Sequence, residues 1–169
     1  EAMPTDPRPY LWMGNFLRQE GHAAQAVEVL QAGIEVMSNT HPDWRLIQEV
    51  GLAHADAGDE PAAIRNLEQV VEILASRGSL DLPPETATRL ATLHEKSGQI
   101  ARAADLYAML AEGSDSEGRF GYYNQAGRLL EQMGMRDEAR RMLLRARELV
   151  PDDPEARERF QARLKALEG

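Results

Sequence analysis

Four histidines, 28 acidic side chains and no cysteine bound the chemistry open to this chain of 169 residues. Without cysteine there is no thiolate metal ligand, disulfide or sulfur nucleophile. His22 and His41 stand beside turn residues, where imidazole is ordinarily solvated. His54 and His94 each precede a glycine by four residues. At that phase a part-buried packing histidine is expected, with a pH-sensitive contact or a metal ligand as the functional alternatives. A metal would need further donors converging on the same point, and the spacing assembles none. His94-Glu95 opens an H-E-x-x-H pattern, but Gly98 occupies the place of the second histidine. There is no phosphate-cradling glycine loop and no G-x-S-x-G elbow. The acid pairs Asp59-Glu60 and Asp152-Asp153 fall where helices start, so capping explains them better than proton transfer. The seven methionines read as core filler, with Met133 and Met135 flanking a turn. No catalytic residue, metal site or cofactor site is expected, and the chain does not read as an enzyme.

Ala, Leu, Glu, Gln and Arg dominate, all good helix formers, and no alternating Val/Ile/Thr run suggests a strand. The formal net charge of −9 argues against nucleic-acid binding, whose affinity comes from cations meeting phosphates. Residues 1–134 hold 10 basic and 20 acidic side chains, and residues 135–169 hold 9 and 8. No apolar run approaches the ~20 residues that span a bilayer. Cytoplasm and periplasm are both compatible, and the Ala/Arg/Leu-rich usage suggests a bacterial chain. The sequence starts at Glu1 rather than Met, which raises the expectation of sequence upstream.

The chain matches itself. Gly21, Gly58, Gly98 and Gly134 are spaced by 37, 40 and 36 residues, each between two helical patterns. Glycine there can take the left-handed conformation that ends one helix and admits the next. Seven residues before each stands a small residue (Gly14, Gly51, Ala91, Gly127), and five after each stands alanine (Ala26, Ala63, Ala103, Ala139). Glycine inside a helix costs ~1 kcal/mol relative to alanine. Its recurrence at one phase indicates a close helix crossing, expected between the glycine and the alanine. Nine residues after each turn comes a large residue, Leu30, Leu67, Tyr107 or Leu143, expected to fill the wider end of the hairpin.

This register resembles the tetratricopeptide repeat family. Its aromatic–x–x–large–small signature reads YLWMG at Tyr10–Gly14 and YNQAG at Tyr123–Gly127, while Ile47 and Ala87 replace the aromatic in the other two units. The fourth unit ends ARELVPDD, with Pro151 closing its second helix. The resemblance implies an all-α, right-handed superhelical solenoid of four tetratricopeptide-like hairpins over residues 7–153, bounded at about 7–40, 44–77, 84–117 and 120–153. Helix starts are expected at Asp6-Pro7, Thr40-His41-Pro42-Asp43, Pro83-Pro84-Glu85 and Asp153-Pro154, and the longest loops at 76–83 and 113–119, the second acidic and mobile. A capping helix over 154–168 should bury Ala156, Phe160, Leu164 and Leu167 and turn Arg157, Glu158, Arg163 and Lys165 to solvent.

The resemblance also implies a function. First helices line a concave groove that holds a peptide or helix of a partner protein. The inward residues, ten and six before each inter-helix glycine, are Leu11, Asn15, Gln48, Leu52, Thr88, Thr92, Asn124 and Arg128, with Arg8, Arg18, Arg45, Lys96 and Gln132 further out. Chaperone adaptors of this family clamp a C-terminal carboxylate with cations and amides, and Leu11, Leu52, Thr88 and Thr92 do not supply them. The expected function is therefore a protein–protein interaction scaffold. The alternatives are a self-assembly module, stacking on itself or on further repeats, and a regulatory module of a larger enzyme. The double change Asn124→Ala/Arg128→Ala is expected to weaken partner binding and spare the fold. A second contact surface is expected at the N-terminal edge, where Trp12 and Phe16 lie four apart on the side that an earlier repeat would occupy, while Tyr10, Met13 and Leu17 face inward. That edge is expected to be covered by upstream repeats, by a second copy of the chain in self-association, or by a partner; the other outcome is that both aromatics fold against their own second helix.

Overall fold

A computed structural model describes residues 6–37, 43–78, 81–149 and 154–167. The helix-start signals Thr40-His41-Pro42, the terminator Pro151 and the acids Asp152-Asp153 lie outside these residues. Among the described residues there are nine α-helices: α1 (Arg8–Gln19), α2 (Ala23–Val36), α3 (Trp44–Asp56), α4 (Glu60–Ser76), α5 (Pro84–Lys96), α6 (Ile100–Glu112), α7 (Ser116–Gln132), α8 (Arg136–Arg147) and α9 (Pro154–Ala166). The fold is an all-α helical-repeat solenoid, with two compact units at Glu1–Leu90 and Ala91–Gly169.

The four hairpin turns share one chemistry. Gly21, Gly58, Gly98 and Gly134 have φ between +73° and +81°, which only glycine adopts without cost. The residue after each glycine then donates its N–H back to a helix carbonyl: His22 to Leu17, Asp59 to His54, Gln99 to His94 and Met135 to Leu130, at 2.8–3.0 Å. This satisfies carbonyls the helix end would leave orphaned. Helix starts are set by aspartates. Asp43 accepts from the Arg45 N–H at 3.0 Å, Asp59 from Ala62 at 3.1 Å and Asp115 from Gly118 at 2.9 Å.

Asp115 changes one boundary. The segment 113–119, expected as a mobile loop, holds the first turn of α7 from Ser116. Arg119 fastens that turn by donating to the carbonyls of Ala111 and Ser114 at the end of α6.

The hairpin crossing is as tight as the small residues require: in the fourth unit the Ala139 carbonyl oxygen would lie 3.5 Å from a Cβ on Gly127, and in each glycine-bearing unit a large residue comes closer still. A Cβ on Gly51 would lie 2.6 Å from Leu67 Cδ2, and one on Gly127 would lie 2.8 Å from Leu143 Cδ2. Gly14 faces Leu30 in the same way. The large residue of the second helix thus seats on the glycine instead of filling the wider end of the hairpin. Ala26, Ala63, Ala103 and Ala139 are fully buried. Replacing Ala139 by Leu is expected to overpack this crossing by about 1–3 kcal/mol, read as a lowered urea midpoint. A midpoint equal to that of the parent would contradict the register.

In the first unit, Leu46, Val50 and Ala53 of α3 bury against Ala26 and Leu30 of α2, with Tyr10, Leu11, Leu17, Ile34 and Met37 around them. In the second, Phe160 and Leu164 of α9 close over Ala111, Tyr123, Leu143 and Ala146. The Ala156 side chain lies outside the described residues. Arg157, Glu158 and Lys165 are exposed, but Arg163 is not turned to solvent as expected. It donates to both carboxylate oxygens of Glu131, at 2.6–3.0 Å, and to Asn124 Oδ1 at 2.6 Å. The guanidinium thus meets a carboxylate in a charge-assisted, two-oxygen contact.

Candidate functional site

The inward positions divide into residues the fold has used and residues it leaves open. Leu52 is fully buried and presents no surface. Leu11 is half-buried beside the α2–α3 core. Gln48 is half-buried, its amide facing Glu49 at 3.5 Å. Thr88 is half-buried and Thr92 exposed. Asn124 and Arg128 both serve the second unit. Asn124 accepts from Arg163, and Arg128 donates to Glu95 at 2.7 Å and to Gln125 at 3.2 Å. The double change Asn124→Ala/Arg128→Ala therefore removes structural contacts and no longer reads as neutral for the fold. A loss of roughly 1–2 kcal/mol is expected, limited by partial exposure of the pairs. A thermal melt identical to the parent would show that these contacts contribute nothing.

Of the outer residues, Arg8 pairs with Asp6 and Arg45 lies over the Trp44 ring at 5.6 Å. Lys96 and Gln132 are exposed. Arg18 is different. Its guanidinium reaches Glu49 at 2.6 Å, Asp56 at 3.0 Å and Glu85 at 2.9 Å, and Arg89 adds a second cation to Asp56 at 2.7 Å. Burial works against the Arg18 charge, but the hydrogen bonds to Glu85, Asp56 and Glu49 outweigh it and hold its pKa above the ordinary arginine value.

A carboxylate near the end of a first helix repeatedly meets an arginine on the next first helix or, in the last case, on α9: Asp56 with Arg89, Glu95 with Arg128, and Glu131 with Arg163. Sequence reasoning missed these pairs. Their signal was an acid-to-arginine interval of 33, 33 and 32 residues, hidden among many other acids and arginines. A further cluster joins Tyr123, Glu112 and Arg145. Burial first, then the Glu112 carboxylate, pushes the Tyr123 hydroxyl above its usual pKa, against the opposing pull of Arg145.

His94 is buried, and His54 is half-buried with Nδ1 3.6 Å from Asp59. Among the described residues no three histidine or carboxylate side chains converge as metal ligands. No helix among them is long and apolar enough to cross a membrane.

The open surface is on α1. Trp12 is 66% exposed and Phe16 46%, and their rings stack at 5.8 Å with planes 7° apart. Neither is buried in the core. Met13, expected inside the hairpin, is exposed beside them, whereas Tyr10 and Leu17 join the α2–α3 core. Leu11, Asn15 and Gln19 continue the aromatic stripe into one shallow depression of about 440 Å³. Gln19 donates to Asn15 at 2.9 Å, fixing the amide edge. The inward residues of α1 and its N-terminal edge, expected as two surfaces, thus form one.

These features define the class: paired helices with left-handed glycine turns and a large residue seated on a small one, the tetratricopeptide-type repeat fold. Residues 120–164 match the tetratricopeptide repeat family, and the chain as a whole shares that fold. A Podosopora anserina kinesin light chain-like protein with nearly identical TPR-like repeats superposes with a TM-score of 0.66 at 23% identity, over 100% of this chain and 90% of that one. MamA from AMB-1 gives a TM-score of 0.67 at 20% identity, over 96% and 84%. MamA from RS-1, a double mutant, gives 0.66 at 14%, over 99% and 97%. No curated protein sequence matches the chain.

Proposed function

We propose that this chain is a protein-interaction module that holds a segment of a partner protein, and that α1 carries the principal contact. The observation that supports this most is the exposed Trp12–Phe16 stack, continuous with Leu11, Asn15 and Gln19. Aromatic anchors beside amides are what a protein contact needs: apolar area from the rings, and donors and acceptors for a backbone from Asn and Gln. The polar residues further along the first helices are a poorer candidate, because Arg18 and Arg128 already face carboxylates of their own unit.

The test is selection of binders from a displayed random-peptide library, followed by competition between the parent and Trp12→Gln/Phe16→Gln. The variant is expected to bind the selected peptides at least tenfold more weakly, as for a lost aromatic hot spot of about 1.4 kcal/mol or more. Its melting should stay close to that of the parent, because both side chains are exposed. Peptides bound equally by the two proteins would remove α1 from the contact.

A further inference from the structure

Measured from the turn glycines, the junction of α2 with the α3–α4 hairpin and the junction of α6 with the α7–α8 hairpin use the same positions. Glu35 stands 14 residues after Gly21, as Glu112 stands 14 after Gly98. Ile47 stands 11 before Gly58, as Tyr123 stands 11 before Gly134. Gln69 stands 11 after Gly58, as Arg145 stands 11 after Gly134. At the later junction the three positions close on one another. The Tyr123 hydroxyl donates to Glu112, and Arg145 donates to Glu112 at 2.7 Å and to the Tyr123 hydroxyl at 3.2 Å. The guanidinium lies 5.7 Å from the centre of the Tyr123 ring.

At the earlier junction the carboxylate is kept and both of its donors are gone. Isoleucine and glutamine are shorter than tyrosine and arginine, and a depression of about 480 Å³ opens there. Ile34, Ile47 and Val50 supply its apolar lining, and Glu35 with the amides of Gln31, Asn66 and Gln69 supplies the polar lining. Ile47 and Val50 are buried, whereas Gln31, Glu35 and Gln69 are exposed at the rim.

We infer that this depression takes an arginine side chain of a partner protein, with its guanidinium at Glu35 as that of Arg145 is at Glu112, and its stem on Ile34, Ile47 and Val50. Among the described residues Glu35 is the one charged side chain of the lining, and none of them is bonded to its carboxylate. Asn66 donates its amide N–H to the Ala62 carbonyl at 2.8 Å, which leaves its oxygen as an acceptor. At the later junction the position of Asn66 is held by Met142, so the earlier junction has acceptors where the later one has apolar surface. Carboxylate and amide oxygens around an aliphatic floor suit a planar cation with five N–H donors on a methylene stem. A tyrosine brings one donor and no charge, and a lysine brings a point charge without the fork. This contact is separate from the one on α1, because no residue of α1 lines the depression.

The probe is Nα-acetyl-arginine methylamide, titrated at constant ionic strength into the whole chain with isotope-labelled isoleucine δ1 methyl groups. The lysine, tyrosine and glutamate counterparts and free arginine are titrated in parallel. The Ile34 and Ile47 methyls are expected to shift saturably with the arginine derivative, at a midpoint about fivefold or more below that of each counterpart. Ile100, outside the lining, should not shift. Two substitutions at exposed positions leave the core untouched. Glu35→Gln removes the anionic acceptor, and Gln69→Arg supplies a guanidinium to Glu35 from within the chain. Each should raise the midpoint about fivefold or more. Trp12→Gln/Phe16→Gln should leave it unchanged. No saturable shift, an equal midpoint for the lysine, tyrosine or glutamate derivative, or a midpoint that either single substitution fails to raise overturns the inference. So does a lower midpoint for free arginine than for the blocked derivative, which makes a small molecule the occupant. A midpoint that rises in Trp12→Gln/Phe16→Gln overturns it too, since the arginine would then sit on α1.

Discussion

Placing leucine at Gly51 is expected to destabilise the chain by about 2 kcal/mol, although leucine is the better helix former by ~1 kcal/mol. A single Cβ there would already lie 2.6 and 2.8 Å from Leu67 Cδ2 and Cγ and 3.2 Å from Asn66 Cβ. Leu67 is fully buried, so its side chain can yield only by displacing other core atoms. Overpacking of this kind commonly costs 1–3 kcal/mol, and more where the neighbour cannot move. Packing wins over propensity because the conflict is between two fixed helices. Leu67→Ala alone should cost about 2–5 kcal/mol. The double variant should be more stable than the sum of the two losses predicts, by at least ~0.5 kcal/mol, since the new leucine occupies the space the old one leaves. Strictly additive urea midpoints would show that the two residues do not face each other.

Arg18→Met is expected to cost about 1–3 kcal/mol. The methionine retains the apolar stem but withdraws the cation from Glu49, Asp56 and Glu85. Fully buried ion pairs lose 3–5 kcal/mol when one partner goes. The lower figure applies here because the Glu85 side chain is 60% exposed and can rehydrate, and Arg89 still faces Asp56. Glu49 is the carboxylate stranded most, at 12% exposure, so Glu49→Gln in the Arg18→Met background should recover part of the loss. If Glu49→Gln instead lowers stability further, the penalty is not an uncompensated charge.

The turns were legible in the sequence because each imposes a conformation that glycine alone takes cheaply, and the phase repeats four times. The small residues at the crossing were legible for the same reason, but not their partner: spacing shows that something approaches Gly51 without showing that it is Leu67 and not Ala63. The start of α7 was lost because Gly113, Ser114 and Gly118 suggest a loop, while the decisive cap at Asp115 is one residue among several acids. Arg163 was read as a solvent-facing charge, since nothing local distinguishes it from Arg157. Its role depends on Glu131, 32 residues away. Trp12, Met13 and Phe16 are exposed although Met13 stands at the phase of buried Val50, Leu90 and Ala126, and Phe16 at that of Ala53, Leu93 and Leu129, because spacing within one helix does not show what covers its face.

The most direct test is hydroxyl-radical footprinting of side chains, on the free chain and on the chain saturated with a library-selected binding segment. In the free protein Trp12, Met13 and Phe16 should label strongly. In the complex their labelling should fall several-fold, while exposed Met133 in the turn after α7 should stay unchanged. Protection of Met133 with no change at Trp12, Met13 and Phe16 would place the contact elsewhere and contradict the account.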